Sequence, residues 1–103
     1  MWAQLIKMQM LPGPDGELLS LFDQVREIEQ QGSGLLQTLI MHDQKDPTQA
    51  YVLVVFESEE HARAREADPA RQEAMKSVQA AMGAVFGAPP EFVDLTVLAD
   101  VRP

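Results

Sequence analysis

The feature that most constrains the fold is an uninterrupted apolar run, Tyr51–Phe56, in which aromatic and β-branched residues predominate. Such a run predicts a strand that is buried on both faces, because successive side chains of a strand point to opposite sides of the sheet. The acidic segment that begins at Ser58 has the composition of a helix start. A chain of 103 residues has few elements with which to cover two sheet faces. We therefore expect a partner subunit or a ligand cavity to cover one of them.

The composition excludes several classes of function. A formal net charge of −8 argues against binding to nucleic acid, which needs clustered Lys and Arg, and against binding to anionic membrane surfaces. The chain has no cysteine, which removes disulfides, thiol catalysis and thiolate metal sites. No apolar run approaches the roughly 20 residues of a membrane span. The N-terminus also lacks the pattern of a signal peptide, so we expect a cytoplasmic protein.

Hydrophobic periodicity and breaker residues divide the chain into six elements of a single domain, residues 1–103. One helix is predicted to follow an N-cap at Asp15 and to run to about Gln31. A second helical region is predicted to begin at Ser58, to restart at Asp68–Pro69 and to be closed by Gly87. Strands are predicted over about residues 2–11, 35–42, 51–56 and 92–99.

The resulting order, β-α-β-β-α-β, is that of the α+β split βαβ, or ferredoxin-like, fold with an antiparallel sheet. Two helices can pack on only one face of that sheet. Leaving the other apolar face in water would forgo about 1.5–3 kcal/mol for each large side chain. A second copy that packs sheet against sheet would cover this face, and most such oligomers have two-fold symmetry. The sequence therefore predicts a homodimer.

Three segments carry a resemblance to a known family: Ile6–Phe22 with its Pro-Gly break, Phe56–Glu60 leading to Asp68–Pro69, and the hydrophobic end Leu98–Val101. Over almost its whole length the chain resembles the antibiotic biosynthesis monooxygenase (ABM)-like proteins of the dimeric α+β barrel superfamily. The resemblance implies a dimer whose two sheets face each other, with a pocket between sheet and helices in each subunit. Such proteins include cofactor-independent oxygenases of polycyclic phenols and quinols, and haem-degrading enzymes.

The haem-degrading branch of this family can be compared residue by residue. It uses an Asn late in the first strand, a Trp in the second helical region and a His further along as the iron ligand. The matching positions here are Lys7, Arg65, and Ala74 or Met75, and all of them depart from the pattern. Haem degradation is therefore disfavoured, although haem binding through another ligand stays open. We expect no cofactor and no metal.

Three residues are candidates for catalysis. Lys7 is a charge within an apolar strand, so it could be a base or a phenolate anchor in the pocket, or its stem could carry the ammonium to water. Arg65 could bind a carboxylate or phenolate bidentately, or pair with glutamates on the helix surface. His61 lies among glutamates near the pocket mouth that the resemblance implies, where it could contact the ligand or remain solvated.

Two further polar residues are candidates for the pocket wall. Asp94 and Thr96 alternate with apolar residues in the last predicted strand and therefore share one face. They could line the pocket as hydrogen-bonding groups or face solvent at the edge of the sheet. With Lys7 and Arg65 they make up the predicted ligand-binding set.

Two functions follow from these expectations. The first is a cofactor-independent monooxygenase that acts on an electron-rich aromatic or quinol small molecule. In that chemistry the deprotonated substrate donates an electron to oxygen, and the protein supplies a dry pocket, a base and a cation. The alternative is a non-catalytic, dimeric binding or accessory protein whose pocket holds an apolar small molecule.

Overall fold

The computed structural model describes residues 1–12 and 16–103. The elements follow the predicted α+β order, except that the second helical region is divided into two helices. They are β1 (Trp2–Gln9), α1 (Gly16–Ile28), β2 (Leu35–His42), β3 (Gln49–Phe56), α2 (Glu59–Ala67), α3 (Pro69–Met82) and β4 (Glu91–Thr96). The predicted N-cap of α1, Asp15, lies outside the described residues.

The four strands form one antiparallel sheet in the order β2-β3-β1-β4. β3 lies between β2 and β1, and its register with β1 pairs Trp2 with Phe56 and Met8 with Ala50. β4 pairs with the other side of β1, where Lys7 is opposite Glu91. The apolar run therefore lies in a central strand, as its two-sided hydrophobicity predicts.

The two faces of this sheet differ in how they are covered. On the face toward the helices, Val52, Val54 and Phe56 are buried. On the other face, Leu39 and Met41 are each 41% exposed within the single chain. We call this second surface the outer sheet face, and the strand registers assign to it Leu5, Leu39, Met41, Tyr51, Leu53, Val55, Val93 and Leu95.

Side-chain caps fix where the second and third helices begin. The Ser58 hydroxyl accepts a hydrogen bond from the His61 amide at 3.2 Å, and the Asp68 carboxylate accepts one from the Ala70 amide at 3.0 Å. Pro69 occupies the first turn of α3, where its missing N–H costs no helical bond. Among the described residues, no helix is both long and apolar enough to cross a membrane.

The end of α3 differs from the prediction, which placed it at Gly87. The helix ends at Met82, and the chain then turns back toward the end of β1. There the Leu11 amide donates to the Val85 carbonyl oxygen, and the Gly87 amide donates to the Gln9 carbonyl oxygen, each at 2.8 Å. The apolar Val85 continued the helical period in the sequence, but it is buried by this return turn rather than by the helix.

The buried side chains form two clusters rather than one. The first cluster lies on the helix-facing side of the sheet and includes Met8, Val52 and Val54, together with Leu18 of α1. The second cluster joins α1 to α3 and the following turn through Leu21, Val78 and Val85. Met10 and Phe86 contact both clusters. A space remains between the two clusters, and this space is the cavity described below.

Gly34, immediately before β2, is expected to tolerate alanine poorly. Its φ is +84°, and an added Cβ would lie 2.5 Å from the His61 Cγ atom. We expect Gly34→Ala to lower the free energy of unfolding by about 2–4 kcal/mol, because backbone strain and overpacking add. Urea denaturation measures this loss.

Gly32 provides the matched control for this substitution. Its φ is +81°, but its Cβ would meet no atom within 4 Å. Gly32→Ala should therefore show only the backbone cost, about 1 kcal/mol. The double variant Gly34→Ala/His61→Ala should recover the steric part of the loss. Equal losses at the two glycines would contradict the proposed contact with His61.

Candidate functional site

A cavity of about 840 Å³ lies between the sheet and the helices. This volume is in the range of pockets that enclose drug-sized ligands. The lining is mostly apolar and comes from the sheet, from α1 and from α3 and its return turn. The apolar lining residues are Ile6, Met8, Leu19, Phe22, Val25, Leu35, Ile40, Val54, Met75, Met82, Phe86, Pro90 and Phe92.

The position of the cavity follows from the packing of the helices. Ile6, Phe22 and Ile40 pack against the sheet cluster, whereas Met75 and Met82 pack against the cluster between the helices. The cavity separates these two groups of residues. Flexible methionine side chains can adapt to an irregular apolar ligand without a large strain. The site can therefore accept a flat apolar body between a sheet floor and a helical roof.

Six charged residues line this cavity: Asp23, Arg26, Glu29, Arg65, Glu66 and Arg71. Three of them form ion pairs with one another, and we call these the Glu29 cluster: Glu29, Arg65 and Arg71. The Arg65 guanidinium donates from Nε to both oxygens of the Glu29 carboxylate, at 2.9 and 3.0 Å. The Arg71 Nη1 atom lies 3.7 Å from Glu29 Oε1. The side chains of Glu29, Arg65 and Arg71 are only 16%, 14% and 13% exposed. The cluster is therefore largely removed from solvent.

The chain break between α2 and α3 brings the two arginines together. Arg65 belongs to the last turn of α2, and Arg71 follows the Asp68 cap at the beginning of α3. Glu29 comes from a different part of the chain, directly after α1. The Arg65 Cζ atom also lies 5.2 Å from the centre of the Phe56 ring, a cation–π contact that holds the guanidinium against the sheet.

The three residues of the cluster carry one more positive than negative charge, and the carboxylates of Asp68 and Glu66 lie close by. Burial raises the pKa of Glu29, but hydrogen bonds from Arg65 and Ser33 and the charges of both arginines outweigh it, so this pKa lies below its usual value. Burial and then repulsion by Arg65 lower the pKa of Arg71, against the attraction of Glu29, Asp68 and Glu66. One carboxylate thus faces two guanidinium groups within the cluster.

A smaller cavity of about 190 Å³ lies on another side of the same cluster. Its polar lining includes Ser33, His61 and Asp68 in addition to the three residues of the Glu29 cluster. The His61 Nδ1 atom lies 2.6 Å from the Ser58 hydroxyl oxygen, and its Nε2 atom lies 3.5 Å from a Glu57 carboxylate oxygen. The Glu29 cluster therefore borders an apolar cavity and a polar one.

The structure distributes the three predicted catalytic candidates over different places. Arg65 lines both cavities, and His61 lines the smaller cavity only. Lys7 pairs with Tyr51 and Glu91, so strand alternation places it on the outer sheet face. The assignment of Lys7 to the pocket therefore needs correction, since the sheet itself lies between this exposed residue and the cavity.

The other predicted pocket residues lie at an edge of the sheet. Asp94 is opposite Gln4 on β1 and accepts hydrogen bonds from Gln4 Nε2 at 3.0 Å and from Arg63 Nη2 at 2.8 Å. These two bonds hold the pKa of the Asp94 carboxyl below its usual value. Asp94 and Thr96 share the helix-facing side of β4, where both are exposed and neither lines the large cavity.

Glu29 and Arg71 did not emerge from the sequence as functional residues. Glu29 follows directly on the amphipathic α1, where a carboxylate is easily taken for part of the solvated face. The separation of Arg65 and Arg71 does not match a helical repeat, and the break at Asp68–Pro69 hides their proximity. The sequence does contain one indication, the helix break at Asp68–Pro69, because a change of chain direction there can bring the arginines on either side of it together.

The chemistry that the site can support follows from its lining. In the described part of the chain, no group of three His, Asp or Glu side chains could hold a metal ion. The large cavity offers an apolar body site next to a buried, net positive cluster. Such a site can exclude water from an aromatic molecule and stabilise a negative charge that develops on it.

Solved structures with the same fold come from several bacteria. A Chloroflexus aurantiacus protein described as an antibiotic biosynthesis monooxygenase is 22% identical in sequence to this chain. The two structures superpose with a TM-score of 0.66, and the match covers 99% of this chain and 98% of that chain. The cofactor-independent oxygenase SnoaB of Streptomyces nogalater is 13% identical, with a TM-score of 0.74 over 99% and 97%. A Nitrosomonas europaea protein of unknown function is 17% identical, with a TM-score of 0.71 over 99% and 93%. At these identities the comparison shows a shared fold.

The family comparison covers most of the chain. The family model described as antibiotic biosynthesis monooxygenase matches residues 1–77, from β1 into the middle of α3. The matched part contains Glu29, Arg65 and Arg71, together with most of the sheet floor. No curated protein matches the chain. The match over residues 1–77 shows that the chain belongs to the antibiotic biosynthesis monooxygenase (ABM) family.

Proposed function

We propose that the protein is a cofactor-independent monooxygenase that acts on an electron-rich aromatic or quinol small molecule. The observation that carries this proposal is the apolar cavity of about 840 Å³ with the net positive Glu29 cluster at its border. Membership of the ABM family and the shared fold with a cofactor-independent oxygenase support it. The substrate body would lie between the sheet floor and the methionines of α3.

In this chemistry a phenol or quinol first loses its hydroxyl proton. The resulting anion passes one electron to dioxygen, and the two radicals join in a new carbon–oxygen bond. The O–O bond then breaks, so that one oxygen atom stays in the product and the other leaves as water with two hydrogens from the substrate. The protein contributes a pocket that excludes water and a fixed positive charge that stabilises the anion.

Arg65 sets the positive charge of the cluster. With both arginines present, the cluster carries one more positive than negative charge, and this excess favours the ionised hydroxyl of a bound substrate. Without Arg65, the Glu29 carboxylate would neutralise Arg71. His61 lines only the smaller cavity, so the hydroxyl proton of a substrate in the large cavity would pass to water rather than directly to this histidine.

Oxygen uptake tests the proposal. With an anthrone or a substituted hydroquinone, we expect consumption of dioxygen and formation of the oxygenated product. Arg65→Ala should lower kcat by about 100-fold, comparable to the loss of one donor that stabilises an oxyanion. The matched control is Arg63→Ala on the same helix, because Arg63 is exposed and does not itself line the large cavity. Turnover that is equal in the wild type and in Arg65→Ala would contradict the assignment.

One observation favours the alternative, a non-catalytic binding or accessory protein. Within the described chain, none of the residues that line the large cavity is a histidine, and the lining carboxylate Glu29, held by Arg65, has a lowered pKa and is a weak base. A binding protein would be stabilised by its ligand by about RT ln(1 + [L]/Kd) without product formation. Ligand-induced stabilisation in the absence of oxygen uptake would favour this function.

The proposal includes a homodimer that forms through the outer sheet face. This face presents eight apolar side chains of the central and edge strands, and Leu39, Met41 and Leu95 are exposed in the single chain. A large exposed apolar patch on a folded protein usually marks a site of interaction with another molecule. A two-fold partner would present the same surface, so the apolar contacts would be self-complementary.

A further inference from the structure

The two arginines of the Glu29 cluster differ in how their donors are used. Arg65 directs both Nε and Nη2 to the Glu29 carboxylate, so its fork is occupied. Arg71 approaches the same carboxylate at 3.7 Å, which is too far for a hydrogen bond. Its Nη1 atom is buried and has no hydrogen-bond partner in the described part of the chain.

A buried guanidinium donor without a partner is unusual, because desolvation of a charged group is costly unless hydrogen bonds replace the lost water. The cost is larger here, since Arg65 adds repulsion and Glu29 is already engaged by Arg65. The chain as a whole carries a net charge of −8, so general electrostatics would not attract an anion. Within the Glu29 cluster itself two guanidinium groups face one carboxylate, while Asp68 and Glu66 lie near enough to attract Arg71 as well.

The position of Arg71 relates this donor to the large cavity. Arg71 lies near the start of α3, and Met75 and Met82 of the same helix form part of the apolar cavity wall. A ligand that places its aromatic body against these methionines would bring one end of the molecule to the Arg71 guanidinium. A planar group with two acceptor oxygens fits the planar donors of arginine best.

We propose that Arg71 anchors a carboxylate of the ligand, so that the cavity selects aromatic carboxylates over neutral aromatic molecules of the same shape. This inference rests on the proposed function only in that an aromatic molecule occupies the cavity. Arg65 remains with Glu29, and the carboxylate completes the hydrogen bonding of Arg71.

A pair of fluorescent probes tests this selectivity: 2-naphthoic acid, which is ionised at neutral pH, and 2-naphthalenemethanol, which is neutral. We expect the wild type to bind the acid about tenfold or more tightly than the alcohol, as a charge-assisted hydrogen bond implies. Arg71→Gln should remove this preference and leave the affinity for the alcohol unchanged. Arg71→Lys keeps the positive charge but lacks the planar pair of donors, so this variant should retain part of the preference for the acid.

Lys76→Gln is the matched control on the same helix. It removes one positive charge from an exposed side chain that pairs with Glu73 and does not line the cavity. Its selectivity should equal that of the wild type. Thermal unfolding of each variant without ligand shows that the comparison is made between folded proteins.

The possible outcomes separate the anchor from the proposed oxygenase. Equal affinities for acid and alcohol in the wild type, or an unchanged preference in Arg71→Gln, would overturn the anchor while leaving the aromatic cavity intact. If the wild type prefers the acid and Arg71→Gln does not, the anchor is supported. Absence of oxygen uptake in the same protein would then count against the oxygenase alone. Binding of neither probe would overturn both proposals.

Discussion

Leu53→Asp is expected to convert the proposed dimer into monomers. Leu53 lies in the middle of β3, paired with Leu5 on one side and Leu39 on the other, at the centre of the outer sheet face. In a two-fold dimer the substitution places two carboxylates in the interface. Each leucine lost removes about 1.5–3 kcal/mol of apolar burial, and each buried carboxylate adds a desolvation cost. Together these terms should weaken the dimer by at least about 1,000-fold.

Analytical ultracentrifugation over a range of protein concentrations measures this change. Ala74→Asp is the matched control, because it adds the same charge to an exposed position of α3 on the opposite side of the sheet. Leu39→Asp, on the edge strand β2, provides a second disruption of the same face with less risk to the centre of the sheet. Far-UV circular dichroism establishes that the variants remain folded.

The expected pattern is a dimer for the wild type and Ala74→Asp, and monomers for Leu53→Asp and Leu39→Asp. If the wild type is monomeric at micromolar concentration, the proposed homodimer is wrong. A dimer that survives both aspartates would show that another surface holds the subunits together. The outcome also bears on the cavity. The sheet forms one wall of the cavity, and a partner packed on the outer sheet face would restrict the motion of that wall.

The fold could be predicted from the sequence because local signals agreed with each other. The apolar run Tyr51–Phe56 required a central strand, and the Ser58 and Asp68 caps marked two helix starts that the structure contains. The end of α3 could not be predicted in the same way. Val85 fits the helical period, but it lies in a return turn held by hydrogen bonds to Gln9 and Leu11, and tertiary contacts of this kind leave no periodic pattern in the sequence.

The site was less accessible to sequence reasoning. Strand alternation already placed Lys7 and Ile6 on different faces of the sheet, and the structure shows that Ile6 faces the cavity. Arg65 was recognisable as a carboxylate binder, but its partner is Glu29 from a distant part of the chain. Arg71 becomes a candidate only when the burial of its guanidinium and its missing hydrogen bond are known. Such properties depend on three-dimensional packing and not on residue type.

Glu29→Gln is expected to destabilise the protein by about 2–4 kcal/mol at neutral pH. The substitution leaves two largely buried arginines facing each other without a counterion, which is the costly way to break an ion pair. For a domain of this size the loss corresponds to a fall in Tm of roughly 10–25 °C. The control Glu73→Gln breaks an exposed pair with Lys76 and should change the stability by less than about 0.5 kcal/mol.

The effect of Glu29→Gln should also depend on pH, in a direction that the pKa of Glu29 determines. This pKa is lower in the folded protein than its ordinary value of 4.5, so the ionised carboxylate favours folding. Its contribution is fully present above pH 4.5 and is lost as the pH falls through the lowered pKa. The difference in unfolding free energy between wild type and Glu29→Gln should therefore be constant from about pH 7 to pH 5 and should shrink in more acidic solution. Urea denaturation at fixed protein concentration across this range measures it, and a difference that stays constant down to about pH 2 would show that the Glu29 charge does not hold the two arginines in the folded state.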